Sequence, residues 1–167
     1  QLGLRLSQAG LRFDLQRLHH PRSRKGLLRS LGAGKAMAAV ERALAESEEF
    51  FDLLGEVSDF GDQGREFRIR EPEIVPNTLA APLRELCSDL GSLADTVDNE
   101  TARAEVQEGA RRIREAHATL RLFLDQEDEG SVYWVEAGGT DRSSYAMRAA
   151  PVDVASRLGP LLFAEGK

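Results

Sequence analysis

The chain has 167 residues, of which 41% are hydrophobic and 30% charged, and its formal net charge is -6. This composition indicates a globular domain with a helical bias, and no stretch approaches the roughly 20 continuous apolar residues that a bilayer-spanning helix needs. The single cysteine, Cys87, excludes an internal disulfide or a four-cysteine metal site within the segment and fits a reducing compartment, so we predict a cytoplasmic protein with no membrane partner.

Apolar residues at helical spacing predict three elements in the first third of the chain. A leucine stripe over 11–18 defines a first helix, which ends near His20 because Pro21 disfavours the helical conformation in the residue before it. A short helical piece follows over 26–31, and glycines then interrupt the chain before a long helix over 35–57.

A heptad seam is the clearest pattern in the chain. Its members are Leu79, Leu83, Leu86, Leu90, Leu93 and Val97. Asn99 is expected to cap a further helix that reaches Leu124. Because only Asp98 and Asn99 separate the two segments, they predict an antiparallel helical hairpin with helices roughly 30 to 40 Å long.

Three other stretches predict strands. Residues 58–76 contain glycines, prolines and an alternating run, and they predict a small β element near 66–75. Two further alternating runs, 131–138 and 143–152, predict a β-hairpin. Asp153 is expected to cap a last short helix.

Together these elements predict a mainly α fold. We expect an elongated bundle of long antiparallel helices, with the small β element near 66–75 and a C-terminal β-hairpin plus short helix. The pattern divides the chain into a helical part over 1–130 and a second part, with the hairpin and last helix, over 131–167.

Basic residues are concentrated in residues 1–36. Eight of them stand there against one acid, a net charge of +7, so the remainder of the chain carries -13. Because a basic segment is the usual footprint for phosphate, we predict DNA-binding residues here. They are Arg12, Arg17, Arg22, Arg24, Lys25, Arg29 and Lys35. The alternative is a solvated face on an amphipathic helix pair.

No motif supports catalysis within the segment. Gly34 and Lys35 resemble the end of a phosphate-binding loop, G-x-x-x-x-G-K-[ST], but Arg29 and Ala36 stand where that motif needs a glycine and a hydroxyl. The two adjacent histidines diverge on a helix and cannot share one metal ion. We therefore predict no catalytic residue, no metal site and no cofactor in this segment.

Two aromatic residues, Tyr133 and Trp134, are consecutive on a predicted strand, so their side chains face opposite sides of it. Core packing is the simpler interpretation for both. The alternative is that Trp134 offers a surface on which a base can stack.

Two stretches near the end of the chain form a recognisable combination, VYWVEAG at 132–138 and MRAAPVDVASRLGPLLF at 147–163. They resemble the DinG/XPD-like superfamily 2 DNA helicases, in which such a hairpin precedes a motif of the S-A-T type. The opening LGLRLS is similar to the segment shortly after the D-E-A-H box of that family. We therefore expect a piece excised from between two ATPase motifs that contains neither.

The resemblance implies a function for the parent protein rather than for the piece. In that family the region between the two motifs is a helical arch beneath which single-stranded DNA passes, while motor domains in the same chain hydrolyse ATP with Mg²⁺. By this resemblance residues 1–130 are an arch-like insert, and residues 131–167 return to the first motor domain. The resemblance leaves open whether the parent holds an iron–sulfur cluster.

A helical interaction module is the alternative function. In that interpretation the heptad seam over 79–97 docks a protein partner or a second copy of the chain, and it requires an exposed apolar stripe. An independent enzyme has no support, because no catalytic constellation is present in the sequence.

Overall fold

The computed structural model describes residues 3–155. The elements in chain order are β1 (Leu4–Ser7), α1 (Gln8–Leu18), α2 (Leu27–Ser30), α3 (Gly34–Val57), β2 (Glu66–Ile69), α4 (Ala80–Thr96), α5 (Glu100–Asp125), β3 (Ser131–Gly138), β4 (Ser144–Pro151) and α6 (Val152–Ala155). Asp153 lies inside α6, in its first turn, rather than before it. The remainder of the last predicted helix lies outside the described residues.

The strands form one antiparallel sheet in the order β1-β4-β3-β2. Strand β4 pairs with β3 over all eight residues and with β1 at the sheet's side, where Leu6 lies opposite Met147. Strand β2 adds to the other side of β3, where Ile69 lies opposite Tyr133. The sheet therefore joins segments from the beginning, the middle and the end of the described chain.

The predicted fold class is wrong. Over residues 3–155 the structure is mixed α/β, 56% helical and 17% strand, and no elongated bundle of long helices is evident in that range. The predicted β element and hairpin are present, but they are parts of a single four-stranded sheet rather than small additions to a bundle. Strand β1 was not predicted, and its four residues pair with a strand about 140 positions later.

The chain divides into two compact units, and the predicted boundary between residues 130 and 131 falls inside the first. Within the described residues, unit 1 comprises 3–9, 50–77 and 119–155 and holds the sheet. In this unit Tyr133 contacts Phe123 of α5 with 6.0 Å between ring centroids, and a Cβ built on Gly55 of α3 would overlap the ring of Tyr145. Helical segments thus pack against the sheet within this unit.

Unit 2 comprises residues 10–49 and 78–118 and is helical. The seam of α4 is buried at Leu79, Leu83, Leu86 and Leu90, and Ala94 rather than Leu93 continues it. The Cys87 sulfur lies 3.9 Å from the Ala110 carbonyl oxygen, as expected for an antiparallel hairpin centred near residue 98. Because the seam is buried, it offers no exposed stripe to a partner.

Candidate nucleic-acid interface

The basic residues that come after α1 lie on a compact turn. The backbone N–H of His20 donates to the Lys25 carbonyl at 2.8 Å, and the N–H of Arg24 donates to the His20 carbonyl at 2.9 Å. The N–H of Ser23 donates to Nδ1 of His20 at 3.3 Å, so side chain and backbone close the same loop. We call residues 21–29 the basic turn.

Glycine at position 26 allows the chain to leave this turn. Gly26 has φ 128° and ψ 165°, a region that essentially only glycine occupies. Arg24 also has a positive φ, 55°, which disfavours residues with a Cβ by roughly 1 kcal/mol. The turn therefore presents an arginine at a position where glycine would relieve strain.

Four of the seven predicted DNA-binding residues are exposed on the basic turn. They are Arg22, Arg24, Lys25 and Arg29. Within the described residues none of the four has an ion-pair partner. Arg24 and Arg29 line the same shallow hollow of about 370 Å³. The structure thus gathers four cationic side chains that solvent, or an anion, can reach.

Two other predicted residues are engaged in ion pairs. The Arg12 guanidinium bonds Glu48 through Nη2 at 2.6 Å and Nε at 2.9 Å. Lys35 lies 3.3 Å from the nearly buried carboxylate of Asp89, although the lysine side chain itself is 83% exposed. These ion pairs connect α1 with α3 and α3 with α4, and they make the two charges less available to a phosphate.

The seventh residue, Arg17, lies beside an aromatic ring that was not among the predicted site residues. The guanidinium carbon of Arg17 is 5.8 Å from the ring centroid of Phe13, one helical turn earlier on α1. Phe13 is 60% exposed, whereas phenylalanine usually packs inside a protein. A phenylalanine that lies off the leucine stripe and four positions before an arginine was the signal available in the sequence.

Trp134, predicted as a base-stacking residue, is 1% exposed. The Arg148 guanidinium covers its ring at 5.5 Å from the centroid, and the indole N–H donates to Glu136 at 3.2 Å. A base cannot reach the indole while this packing is intact. Tyr133 is also buried, and burial raises the pKa of its hydroxyl.

Another part of unit 2 is acidic. A groove of about 510 Å³ has an apolar floor that includes Leu18 and Leu27. Its rim carries the acids Asp14, Glu100, Glu105 and Glu108 together with Arg17 and Arg112. Hydrogen bonds from Arg111 lower the pKa of Glu108 to about 2, so this carboxylate stays ionised in mildly acidic solution. Unit 2 thus has an acidic groove that adjoins the basic turn at Leu27.

The cysteine and the histidines are the other groups that could carry chemistry. Burial raises the pKa of the Cys87 thiol, which makes the reactive thiolate scarce. In residues 3–155 no group of three His, Cys, Asp or Glu side chains is arranged to hold a metal ion. No helix in that range has the length and apolar character needed to cross a membrane.

Comparison of the chain with protein-family models, with curated proteins and with solved structures gives no match. These comparisons therefore leave the resemblance to DinG/XPD-like helicases an expectation from three short stretches, LGLRLS at 2–7, 132–138 and 147–163. Residues 156–163 of the last stretch lie outside the described residues.

Proposed function

We propose that this chain contacts the phosphate backbone of single-stranded DNA through the basic turn, without reading base sequence. The observation that carries the proposal is the exposure of Arg22, Arg24, Lys25 and Arg29 on one short segment with no ion-pair partner in the described residues. Cationic side chains that are free of internal partners can neutralise phosphates and release counterions, which is the main source of non-specific affinity.

The local geometry of the turn adds to this support. Backbone hydrogen bonds between His20 and Lys25 hold the turn in one conformation, so less chain entropy is lost when a ligand binds. The acidic groove repels DNA and leaves the basic turn as the favourable approach on unit 2. Phe13 offers an exposed ring on which a base can stack.

The resemblance supplies the wider context of this proposal. The chain would guide single-stranded DNA in a cytoplasmic ATP-dependent helicase related to the DinG/XPD-like proteins. ATP and Mg²⁺ would bind in the motor domains of the parent, which would be the partners of this chain. Within the chain we propose DNA contact and no chemical step.

Fluorescence anisotropy with a labelled oligothymidylate across a salt series tests the proposal. The test variant carries Arg22→Ala, Arg24→Ala and Lys25→Ala. Each lost phosphate contact reduces the slope of log K against log salt by about 0.7 for single strands, so the slope should fall by about 2. Binding should weaken most at the lowest salt.

A charge-matched control distinguishes the turn from net charge. The control carries Arg84→Ala, Arg114→Ala and Arg121→Ala, which remove the same charge from exposed positions on α4 and α5. We expect this control to bind almost as the unchanged chain does. Equal weakening by the two variants, or no binding by the unchanged chain at low salt, would refute the assignment to the basic turn.

A further inference from the structure

A second cationic feature lies on the sheet of unit 1. In register across the four strands, Arg5 of β1 lies opposite Arg148 of β4, Arg148 lies opposite Trp134 of β3, and Trp134 lies opposite Arg68 of β2. Directly paired residues project from the same face of a sheet. We call Arg5, Arg148 and Arg68 the arginine row.

The centre of this row is a small polar assembly. Glu136 Oε1 accepts hydrogen bonds from the Trp134 indole at 3.2 Å and from Arg148 Nη1 at 3.3 Å. The Arg148 guanidinium therefore lies over the indole and is fixed there, although a third of its side chain remains exposed. Its buried Nε has no hydrogen-bond acceptor among the described residues.

Positive charge is concentrated along the row, where Glu136 is paired with Arg148. Like charges directly opposite one another on a sheet are destabilising, yet Arg5 and Arg148 occupy such a pair. Arg5 is exposed and has no ion-pair partner in the part of the chain that the structure describes. Burial, and to a smaller extent the charge of Arg70, lower the pKa of Arg68. An anion bound along the row would relieve this repulsion.

The spacing of the row suits a linear anion. Neighbouring strands lie about 4.8 Å apart, so the three arginines span roughly 15 Å perpendicular to the strands. A single phosphate ion covers one such position, whereas a chain of phosphates covers several. Four-stranded sheets are known platforms for single-stranded nucleic acid, and guanidinium planes as well as aromatic rings stack bases.

We infer that the arginine row is a second binding site for single-stranded nucleic acid, which crosses the strands and contacts Arg5, Arg148 and Arg68 through its phosphates. The site lies in unit 1 and uses no residue of the basic turn. It also gives Trp134 a role other than direct base stacking, because the indole supports the Arg148 guanidinium from beneath. The arginine row can therefore bind DNA whether or not the basic turn does.

Intrinsic fluorescence provides a direct test, because Trp134 is the only tryptophan of the chain. Titration of the full chain with unlabelled oligothymidylate should change the fluorescence of Trp134 over the same concentrations that raise the anisotropy of the labelled strand. The change should persist in the triple variant of the basic turn. It should be lost in an Arg5→Gln, Arg68→Gln double variant, whose salt slope should fall by about 1.4.

An Arg84→Gln, Arg114→Gln variant is the matched control and should retain the fluorescence change. Circular dichroism and the urea midpoint establish that each variant is folded. If the double variant is not folded, the single variant Arg5→Gln, at an exposed position, takes its place in the test. Binding to DNA with no change in Trp134 fluorescence overturns the inference. The inference is also overturned if polyglutamate changes the fluorescence of Trp134 and DNA does not. That result would assign the arginine row to an acidic protein segment.

Discussion

Gly26 lies so close to the backbone of Leu18 that a Cβ at position 26 would be 2.6 Å from the Leu18 carbonyl oxygen. The neighbouring atoms belong to the backbone of α1 and cannot rotate away. Gly26→Ala should therefore destabilise the chain by about 2 kcal/mol, combining a disfavoured φ with a steric clash, and should weaken DNA binding by disordering the basic turn. Urea unfolding and the anisotropy titration measure the two effects.

Gly32→Ala is the matched control for this substitution. Gly32 also has a positive φ, 65°, but no atom lies within 4 Å of a Cβ built there. Its cost should be limited to about 1 kcal/mol for the left-handed conformation, with DNA binding unchanged. If the two variants lost equal stability, the contact with Leu18 would not be the reason that position 26 requires glycine.

Phe13→Ala should weaken binding of single-stranded DNA by about tenfold without loss of stability. The ring is exposed, so its removal leaves no cavity, whereas loss of one stacked base costs about 1 to 3 kcal/mol. Because stacking involves no counterion, the salt slope should remain that of the unchanged chain. Leu122→Ala, at another exposed apolar position, is the control, and a Phe13 variant with unchanged affinity would exclude stacking at this ring.

Gly91→Ala should stabilise the chain by about 0.5 to 1 kcal/mol. Gly91 lies in the interior of α4, is exposed, and has no atom within 4 Å of an added Cβ, so only the lower conformational freedom of alanine in the unfolded chain matters. Thermal unfolding should show a raised midpoint. In contrast, Gly55→Ala in α3 makes the added Cβ overlap the Tyr145 ring and should lower the midpoint.

Asn99→Ala should destabilise the chain by about 1 kcal/mol. The Asn99 side chain accepts the backbone N–H of Ala102 at 2.9 Å and so caps α5. Asn99→Asp keeps an acceptor at the helix N-terminus and should retain most of the stability. Denaturant unfolding measures the stability of the two variants. If both lost stability equally, the capping hydrogen bond would not be the reason that Asn99 stabilises the chain.

Glu108→Gln should reduce the dependence of stability on acid pH. Arg111 and Arg112 hold the pKa of this carboxyl at about 2, against 4.5 for an unpaired glutamate. Its stabilising contribution is therefore present above pH 4.5 and is lost as the pH falls towards 2. Free energies of unfolding at the two ends of this window should differ less in Glu108→Gln than in the unchanged chain. Glu105→Gln, on the same helix, should behave as the unchanged chain does.

Helices were predictable from sequence because their signals are local. The heptad seam of α4 and the asparagine at 99 specify where one helix ends and the next begins, and the structure places α4 at Ala80–Thr96 and α5 at Glu100–Asp125. These features need only the 3.6-residue period and the unpaired N–H groups of a helix N-terminus. The pairing of strands is not local in this sense.

The sheet and its arginine row were not predictable for the same reason. Four residues at Leu4–Ser7 carry too little alternation to indicate a strand until the partner strand is known. The burial of Trp134 depends on Arg148, which the neighbouring strand places over the indole. Charge counting identified the basic turn, but it assigned the same role to Arg12 and Lys35, which the fold uses in ion pairs.

The pairing of β1 with β4 also governs the order in which the molecule can be completed during synthesis. Leu4 leaves the ribosome well before its partner Ala149, and at about 5 to 20 residues per second the delay is on the order of ten seconds. Helical contacts within residues 78–118 can form in that interval, because they join residues close in sequence. The nascent chain therefore carries an unmatched first strand until β4 has emerged from the ribosome.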